Sequence, residues 1–179
     1  MSKLLNKFIE TGSATCTLEK NILSVKGQLG ELHVSIPEYM KYVETDGKIK
    51  LSVKDDYVLN KAERCMVGTT FATVRNSVIG VVKGHQKTLI IDGVGYKATV
   101  KGNVLVLNVG KSHDVNLDIP KGMNITVNKN NIDVSYYDIH KLGDFCDKVY
   151  KTKPVEPYKL KGIRYKDQHI VRKAGKAGK

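Results

Sequence analysis

The sequence predicts an α+β protein built from two tandem copies of a small antiparallel-sheet-plus-helix domain, followed by a basic C-terminal extension. Three observations support this fold class. Apolar residues alternate along short segments, the order of those segments repeats, and positive charge concentrates at the end of the 179-residue chain. We place the first domain at residues 1–83, the second at 84–153 and the extension at 154–179. A hydrophobic fraction of 41% is sufficient for two small cores.

The repeat is visible as matching apolar patterns at one fixed separation. Residues 32–37 read Leu-x-Val-x-Ile-Pro, and residues 115–120, 83 positions later, read Val-x-Leu-x-Ile-Pro. Residues 49–51 and 132–134 share an alternating pattern at the same separation. Each half then ends in a helical pattern, so we interpret the halves as two copies of one unit. The competing interpretation is two unrelated hairpin-rich domains with chance alternation.

The first half contains alternating segments and then one long helical pattern. Asp46-Gly47 lies between two alternating segments and is a strong hairpin signal, and Gly84 is a suitable helix stop. The predicted elements are a strand over 16–25, a turn over 26–30, a strand over 32–36, strands over 42–45 and 49–53, and a helix over 61–82.

The second half follows the same order. Alternation predicts its strands, and apolar residues at helical spacing predict a helix that stops before Pro154. The predicted elements are a strand from 88 to 91 that continues through 94–100, a turn at Gly102-Asn103, strands over 104–107 and 115–119, strands over 125–127 and 132–134 joined at Asn130-Asn131, and a helix over 139–150.

The charge distribution indicates a polyanionic partner. The chain has 30 basic and 18 acidic residues, a net charge of +12, and residues 151–179 alone carry +8 of it. Nucleic acid is the partner that this balance favours. The alternative is a module that binds other polyanions or membrane surfaces, but Pro154 and Pro157 block an amphipathic helix at the start of the extension. No apolar run approaches the roughly 18 residues of a membrane span, so we expect no membrane.

Enzymatic and cofactor sites are not expected. Residues 93–98 read Gly-Val-Gly-Tyr-Lys-Ala and fit the dinucleotide fingerprint, but that fingerprint needs a following helix, and alternation over 99–107 predicts a hairpin. Ser112-His113-Asp114 are adjacent and cannot form a triad easily. The five histidines and three cysteines are scattered, so we expect no catalytic residue, no metal, no cofactor and no small-molecule substrate.

Residues 154–166 are the stretch on which the predicted function depends. Cations alternate there with tyrosines and a glycine, a combination that can neutralise phosphates, stack on bases and allow close backbone approach. The alternative is a solvated charged tail. Because no core pattern is visible after residue 157, we expect removal of 158–179 to leave both domains folded. The predicted RNA contacts are Tyr158, Lys159, Lys161, Gly162, Arg164, Tyr165, Lys166, Arg172 and Lys173. For the two tyrosines, packing against the second domain is an equal alternative.

Several motifs resemble one known family. They are Val-Lys-Gly-Gln-Leu-Gly-Glu-Leu at 25–32, Arg-Asn-Ser-Val-Ile-Gly-Val at 75–81, the Gly-Val-Gly-Tyr-Lys-Ala segment with Lys-Gly-Asn at 101–103, and Glu-Pro-Tyr-Lys with Lys-Gly-Ile-Arg-Tyr at 156–165. Together they resemble the L-six family of large-subunit ribosomal proteins, in its bacterial and organellar form. Leu160 stands where that family has a glycine.

The resemblance implies a structural constituent of the large ribosomal subunit with two copies of one small α+β domain. It implies binding to large-subunit ribosomal RNA near the sarcin–ricin loop and stalk base, beside neighbouring ribosomal proteins. It also extends the predicted RNA contacts to the central motifs, at Arg75, Asn76, Gly93, Gly95, Tyr96 and Lys97.

The compartment is predicted from composition. Lysines outnumber arginines 26 to 4, and lysine codons are A-rich, which indicates an A/T-rich genome. The two compartments that fit are the mitochondrial matrix and the bacterial cytoplasm. Departures from the family pattern such as Leu160, together with this composition, favour the mitochondrial one.

Overall fold

The computed structural model describes residues 8–45 and 47–175, and these form two compact units. The first unit comprises the residues up to His85 together with Tyr137–Ile139, and the second comprises Gln86–Tyr136 and the residues from His140 onward. Asp46 of the predicted hairpin turn lies outside the described residues, but Thr45 and Lys48 on either side of it are paired as expected.

The described residues of the first unit form two three-stranded antiparallel sheets and one helix. The elements are β1 (Ile9–Glu10), β2 (Thr15–Glu19), β3 (Ile22–Lys26), β4 (Glu31–Ser35), β5 (Met40–Thr45), β6 (Lys48–Val53) and α1 (Lys61–Lys83). One sheet has the strand order β2-β3-β4 and the other has the order β1-β6-β5.

Helix α1 has clear start and stop signals. The Asn60 side chain accepts a hydrogen bond from the Glu63 N–H, and the Glu63 carboxylate accepts one from the Asn60 N–H, both at 2.8 Å, which is a capping box. Gly84 ends the helix with φ +77°, as its position predicted. By length and composition the helix could cross a membrane. Its buried face, with Phe71 and Val74, instead forms the core of this unit with strands from both sheets.

The described residues of the second unit again form two sheets and one helix. The elements are β7 (His85–Asp92), β8 (Lys97–Lys101), β9 (Val104–Asn108), β10 (Val115–Asp118), β11 (Asn124–Asn128), β12 (Asn131–Tyr136), α2 (Ile139–Thr152) and β13 (Gly162–Tyr165). One sheet has the order β8-β9-β10, and the other has four strands in the order β11-β12-β7-β13.

The two units share one topology, which confirms the predicted duplication. The order β2-β3-β4 matches β8-β9-β10, and β1-β6-β5 matches β7-β12-β11. Strands β6 and β12 begin at Lys48 and Asn131, at the separation of 83 found in the sequence. The α+β class and the tandem arrangement are therefore confirmed.

Three local expectations are wrong. The single strand predicted over 16–25 is a hairpin, because Lys20 and Asn21 take left-handed φ values of +44° and +66° and form a two-residue turn. The strand predicted to continue through 94–100 is interrupted by a turn before Lys97. The second hairpin turns at Lys129-Asn130, one residue earlier than predicted, because Asn128 pairs with Asn131.

The C-terminal segment also differs from expectation. Strand β13 pairs antiparallel with β7 at the edge of the four-stranded sheet, and Ile163 is completely buried. The expectation that the segment after residue 157 adds nothing to a core is therefore wrong. A single buried apolar side chain among cations produces no periodic pattern, so the contribution was not visible in the sequence.

Candidate nucleic-acid interface

The pairing of β7 with β13 determines which predicted contact residues lie close together. Gly162 is opposite Asp92, and Tyr165 is opposite Leu89. Because the strands are antiparallel, the loop that follows β7 at 93–96 and the loop that precedes β13 lie at the same end of the pair. Two motifs more than 60 residues apart in the sequence therefore share one surface of the second unit.

The loop before β13 has a defined backbone. The Leu160 N–H donates to the Glu156 carbonyl at 2.9 Å, and the Glu156 N–H donates to the Lys161 carbonyl at 2.9 Å. The Lys173 N–H donates to the Pro157 carbonyl at 3.0 Å, so the chain after β13 returns to this loop. The cations that this arrangement leaves exposed are Lys159, Lys161, Arg172 and Lys173.

Two residues of this loop have backbone conformations that favour glycine. Gly162 has φ +139°, and a Cβ there would lie 2.6 Å from the Val155 Cα and 2.7 Å from the Pro154 carbonyl oxygen. Any side chain at position 162 would therefore clash with the backbone of this loop. Leu160 has φ +58°, a left-handed conformation that glycine adopts more readily than leucine.

One of the donor groups of Arg164 already forms a hydrogen bond within the protein. Its Nε donates to the Asp92 Oδ2 at 3.1 Å, an ion pair across β13 and β7. A two-donor contact to a phosphate would therefore use the two terminal Nη groups and not Nε.

The two predicted tyrosines differ in environment. The Tyr165 ring stacks on Tyr150 of α2 with centroids 5.6 Å apart, and the Lys87 Nζ lies 5.6 Å from its centroid. Burial raises the pKa of the Tyr165 hydroxyl above its ordinary value. Tyr158 is 48% exposed and is the tyrosine whose ring is accessible to a partner.

The loop at the end of β7 is a tight turn and not a cofactor loop. The Tyr96 N–H donates to the Gly93 carbonyl at 3.3 Å, and a Cβ on Gly93 would lie 2.5 Å from the Tyr96 ring. Gly95 has φ +79° and nothing lies within 4 Å of the position of a Cβ. Strand β8 begins at Lys97, where the dinucleotide fingerprint would need a helix. Gly95 and Lys97 are exposed beside the loop that precedes β13.

The remaining predicted residues lie elsewhere. Lys166 is at the other end of the strand pair, where its N–H donates to the Thr88 carbonyl at 3.0 Å. There a cavity of about 440 Å³ is lined by Gln86, Lys87, Thr88, Tyr165, Lys166 and Asp167. Arg75 and Asn76 lie on α1 of the first unit. The Asn76 carbonyl accepts a hydrogen bond from the His85 Nε2 at 2.9 Å, and Arg75 is exposed.

Lys87 and Asp92 were not predicted from the sequence. Both act on the C-terminal segment, Lys87 over the Tyr165 ring and Asp92 on Arg164. Each of these interactions joins residues more than 70 positions apart, so no local spacing could have revealed them.

Metal-binding and thiol chemistry do not define a site among residues 8–45 and 47–175. No cluster of three His, Cys, Asp or Glu side chains that could hold a metal ion is present there. Cys16 and Cys146 are buried, and burial raises the pKa of each thiol to about 11.

The duplicated α+β fold and its cationic surface define a small basic two-unit protein, and comparison with known proteins supplies the family. The profile described as Ribosomal protein L6 matches residues 93–166. Large ribosomal subunit protein uL6 of Latilactobacillus sakei subsp. sakei is 41% identical over 182 aligned residues, covering 100% of both chains.

Two other relatives indicate the same family. The uL6 protein of Nautilia profundicola is 43% identical over 145 residues, 78% of this chain and 82% of its own. The uL6c protein of Arabidopsis thaliana is 43% identical over 168 residues, 93% of this chain and 74% of its own. The chain therefore belongs to the ribosomal protein L6 family, a family of structural proteins of the large ribosomal subunit and not of enzymes.

Proposed function

We propose that the chain binds large-subunit ribosomal RNA near the sarcin–ricin loop and the stalk base, beside neighbouring ribosomal proteins. The observation that carries this proposal is the antiparallel pairing of β7 with β13. It joins the loop at 93–96 to the loop at 156–161, so that Lys97, Lys159 and Lys161 lie at one end of the second unit. Residues 154–179 thus act as the RNA-binding segment while part of them completes a sheet.

The chemistry assigned to each side chain follows from its surroundings. The exposed lysines neutralise phosphates, which makes binding dependent on salt. Tyr158 stacks on a base or sugar, because its ring is half exposed. Arg164 binds a phosphate through its Nη groups while Nε holds Asp92. Tyr165 has a structural role beneath this surface, because its ring stacks on Tyr150 and contacts the Lys87 Nζ.

Other predicted residues have supporting roles in this proposal. Gly95 leaves open space for close approach of the RNA backbone, whereas Gly93 and Gly162 are needed for packing. Arg75 and Asn76 belong to the first unit and would form a separate, smaller contact.

Hydroxyl-radical probing of large-subunit ribosomal RNA tests the proposal. The wild-type chain should protect nucleotides of the sarcin–ricin loop and the stalk base. The double substitution Lys159→Gln, Lys161→Gln should weaken that protection. The control is Lys48→Gln, Lys54→Gln in the first unit, which should leave the protection unchanged. The two pairs are matched because all four side chains are exposed. Protection elsewhere in the RNA, or equal effects of both pairs, would overturn the proposal.

On the compartment, we propose the mitochondrial matrix, because departures from the family pattern such as Leu160 occur together with a lysine-rich composition that indicates an A/T-rich genome. Identity to the relatives above does not decide this, since bacterial uL6 and Arabidopsis uL6c proteins are similar to the chain at 41–43%. Fractionation of the source cells tests it. Recovery with mitochondrial ribosomes supports the assignment, and recovery with bacterial or plastid ribosomes contradicts it.

A further inference from the structure

The two units differ at one corresponding sheet edge. In the second unit β7 is covered by β13, whereas β1, its counterpart in the first unit, is an edge strand among the described residues. One hydrogen bond fixes the correspondence. The Thr11 N–H donates to the Gly47 carbonyl at 2.9 Å, and the Ile91 N–H donates to the Asn130 carbonyl at 2.8 Å. Gly47 and Asn130 are 83 residues apart, so Thr11 corresponds to Ile91.

The corresponding position in the first unit is an open groove. A cavity of about 440 Å³ lies along residues 8–12, which include β1, and along the last turns of α1. Its apolar floor is formed by Val78, Ile79 and Val82 together with Phe8. Phe8 is 56% exposed, and the Lys50 Nζ lies 5.7 Å from the centroid of its ring.

The second unit indicates what such a groove accepts. There Ile163 pairs with Ile91 and is completely buried, and Tyr165 pairs with Leu89 and stacks on Tyr150 near the end of α2. The occupant is thus an extended strand that directs two apolar side chains, two residues apart, towards the helix. Strand β1 and helix α1 form the same combination of a strand edge and an apolar floor, and no described strand occupies the groove between them.

The backbone of β1 is suited to such an occupant. The Thr11 N–H points towards β6, so strand alternation directs the N–H and C=O of Glu10 towards the open edge. The exposed side chain of Lys83 flanks the groove and favours an acidic residue on the incoming strand. An apolar floor beside a strand edge is suited to polypeptide and not to a phosphate backbone.

We propose that this groove binds an extended, partly acidic segment of a neighbouring large-subunit protein, which adds as a strand to β1. The segment places two apolar side chains, two positions apart, over Ile79 and Val82. This surface lies within the first unit and does not depend on which RNA helix the second unit binds.

Photo-cross-linking in assembled large subunits tests the proposal. The photoreactive residue p-benzoylphenylalanine replaces Val82 in the groove or, as the control, Val43, which is 48% exposed on β5 outside it. The expected result is a cross-link from position 82, and not from 43, to one segment of another large-subunit protein. A cross-link from position 82 to RNA or to residues 1–7 of the same chain, or no cross-link, would overturn the proposal.

A second substitution tests whether the groove itself is responsible. Ile79→Glu places a carboxylate four residues from both Arg75 and Lys83, spacings that stabilise a helix, so the far-UV circular dichroism should be unchanged. The cross-link from position 82 should fall about tenfold, the loss expected from one buried apolar side chain. Val43→Glu should leave it unchanged. Cosedimentation of each variant with the subunit reports RNA binding separately, so failure of this proposal is distinguishable from failure of the proposed function.

Discussion

Replacing Ile163 by alanine should destabilise the second unit strongly. The side chain has no exposed surface and lies on the strand that closes the four-stranded sheet. Removal of a buried isoleucine side chain to Cβ costs about 2–5 kcal/mol, because the burial is lost and a cavity is left behind. Ile163→Val removes one methylene and should cost about 0.5–1.5 kcal/mol. A solvated charged tail would show neither loss.

Urea denaturation followed by far-UV circular dichroism measures these losses, with hydrogen exchange of the β7 amides reporting on the second unit alone. Val171→Ala is the matched control, because Val171 is a branched aliphatic residue of the same segment and is 73% exposed. Its effect should stay within about 0.5 kcal/mol. Equal and small effects of Ile163→Ala and Val171→Ala would refute the assignment of β13 to the core.

Three further predictions concern single residues. Leu160→Gly should leave the free energy of unfolding unchanged or raise it by up to about 1 kcal/mol, because relief of the left-handed conformation offsets the added backbone entropy of glycine; a loss above that size in urea denaturation would contradict it. In the native protein at pH 8, iodoacetamide should label Cys65 and spare Cys16 and Cys146, which are buried with thiol pKa values of about 11, and mass spectrometry showing equal labelling of all three would be the opposite result. Asn60→Ala removes the helix cap and should lower the free energy of unfolding of the first unit by about 1 kcal/mol. The melting temperature should fall accordingly, and an unchanged value would count against the capping box.

Much of the fold was predictable because its signals are local or periodic. The apolar alternation at 115–119 and 132–134 corresponds to β10 and β12. The helical spacing over 139–150 corresponds to α2. The duplication was visible because matched strands keep one separation in the chain.

Turn residues and long-range pairing were not predictable in the same way. Lys20-Asn21 is not a glycine-containing turn, so the hairpin there resembled one longer strand. The pairing of β13 with β7 joins segments about 70 residues apart, and only Ile163 in β13 is an aliphatic core residue. A pattern of period two needs several such residues.

The candidate site was partly predictable for the same reason. Exposed cations such as Lys159 and Lys161 are evident from charge alone. The interactions of Arg164 with Asp92 and of Tyr165 with Tyr150 require the folded sheet and helix, so their structural roles could not be separated from RNA binding in the sequence. The truncation of 158–179 is therefore a poor test of RNA binding, because it also removes β13.

The salt dependence of RNA binding tests the central claim most directly, because it counts the phosphates that the protein neutralises without disturbing the core. The triple substitution Lys97→Gln, Lys159→Gln, Lys161→Gln should lower the slope of log affinity against log salt by roughly two to three, since each phosphate left without its lysine removes about 0.7–0.9 from the slope. The matched control replaces three exposed lysines of the first unit, Lys20, Lys48 and Lys54, by glutamine. An unchanged slope for the control is the predicted result, and an unchanged slope for the first triple variant, or equal changes in both, would contradict an RNA surface built by β7 and β13.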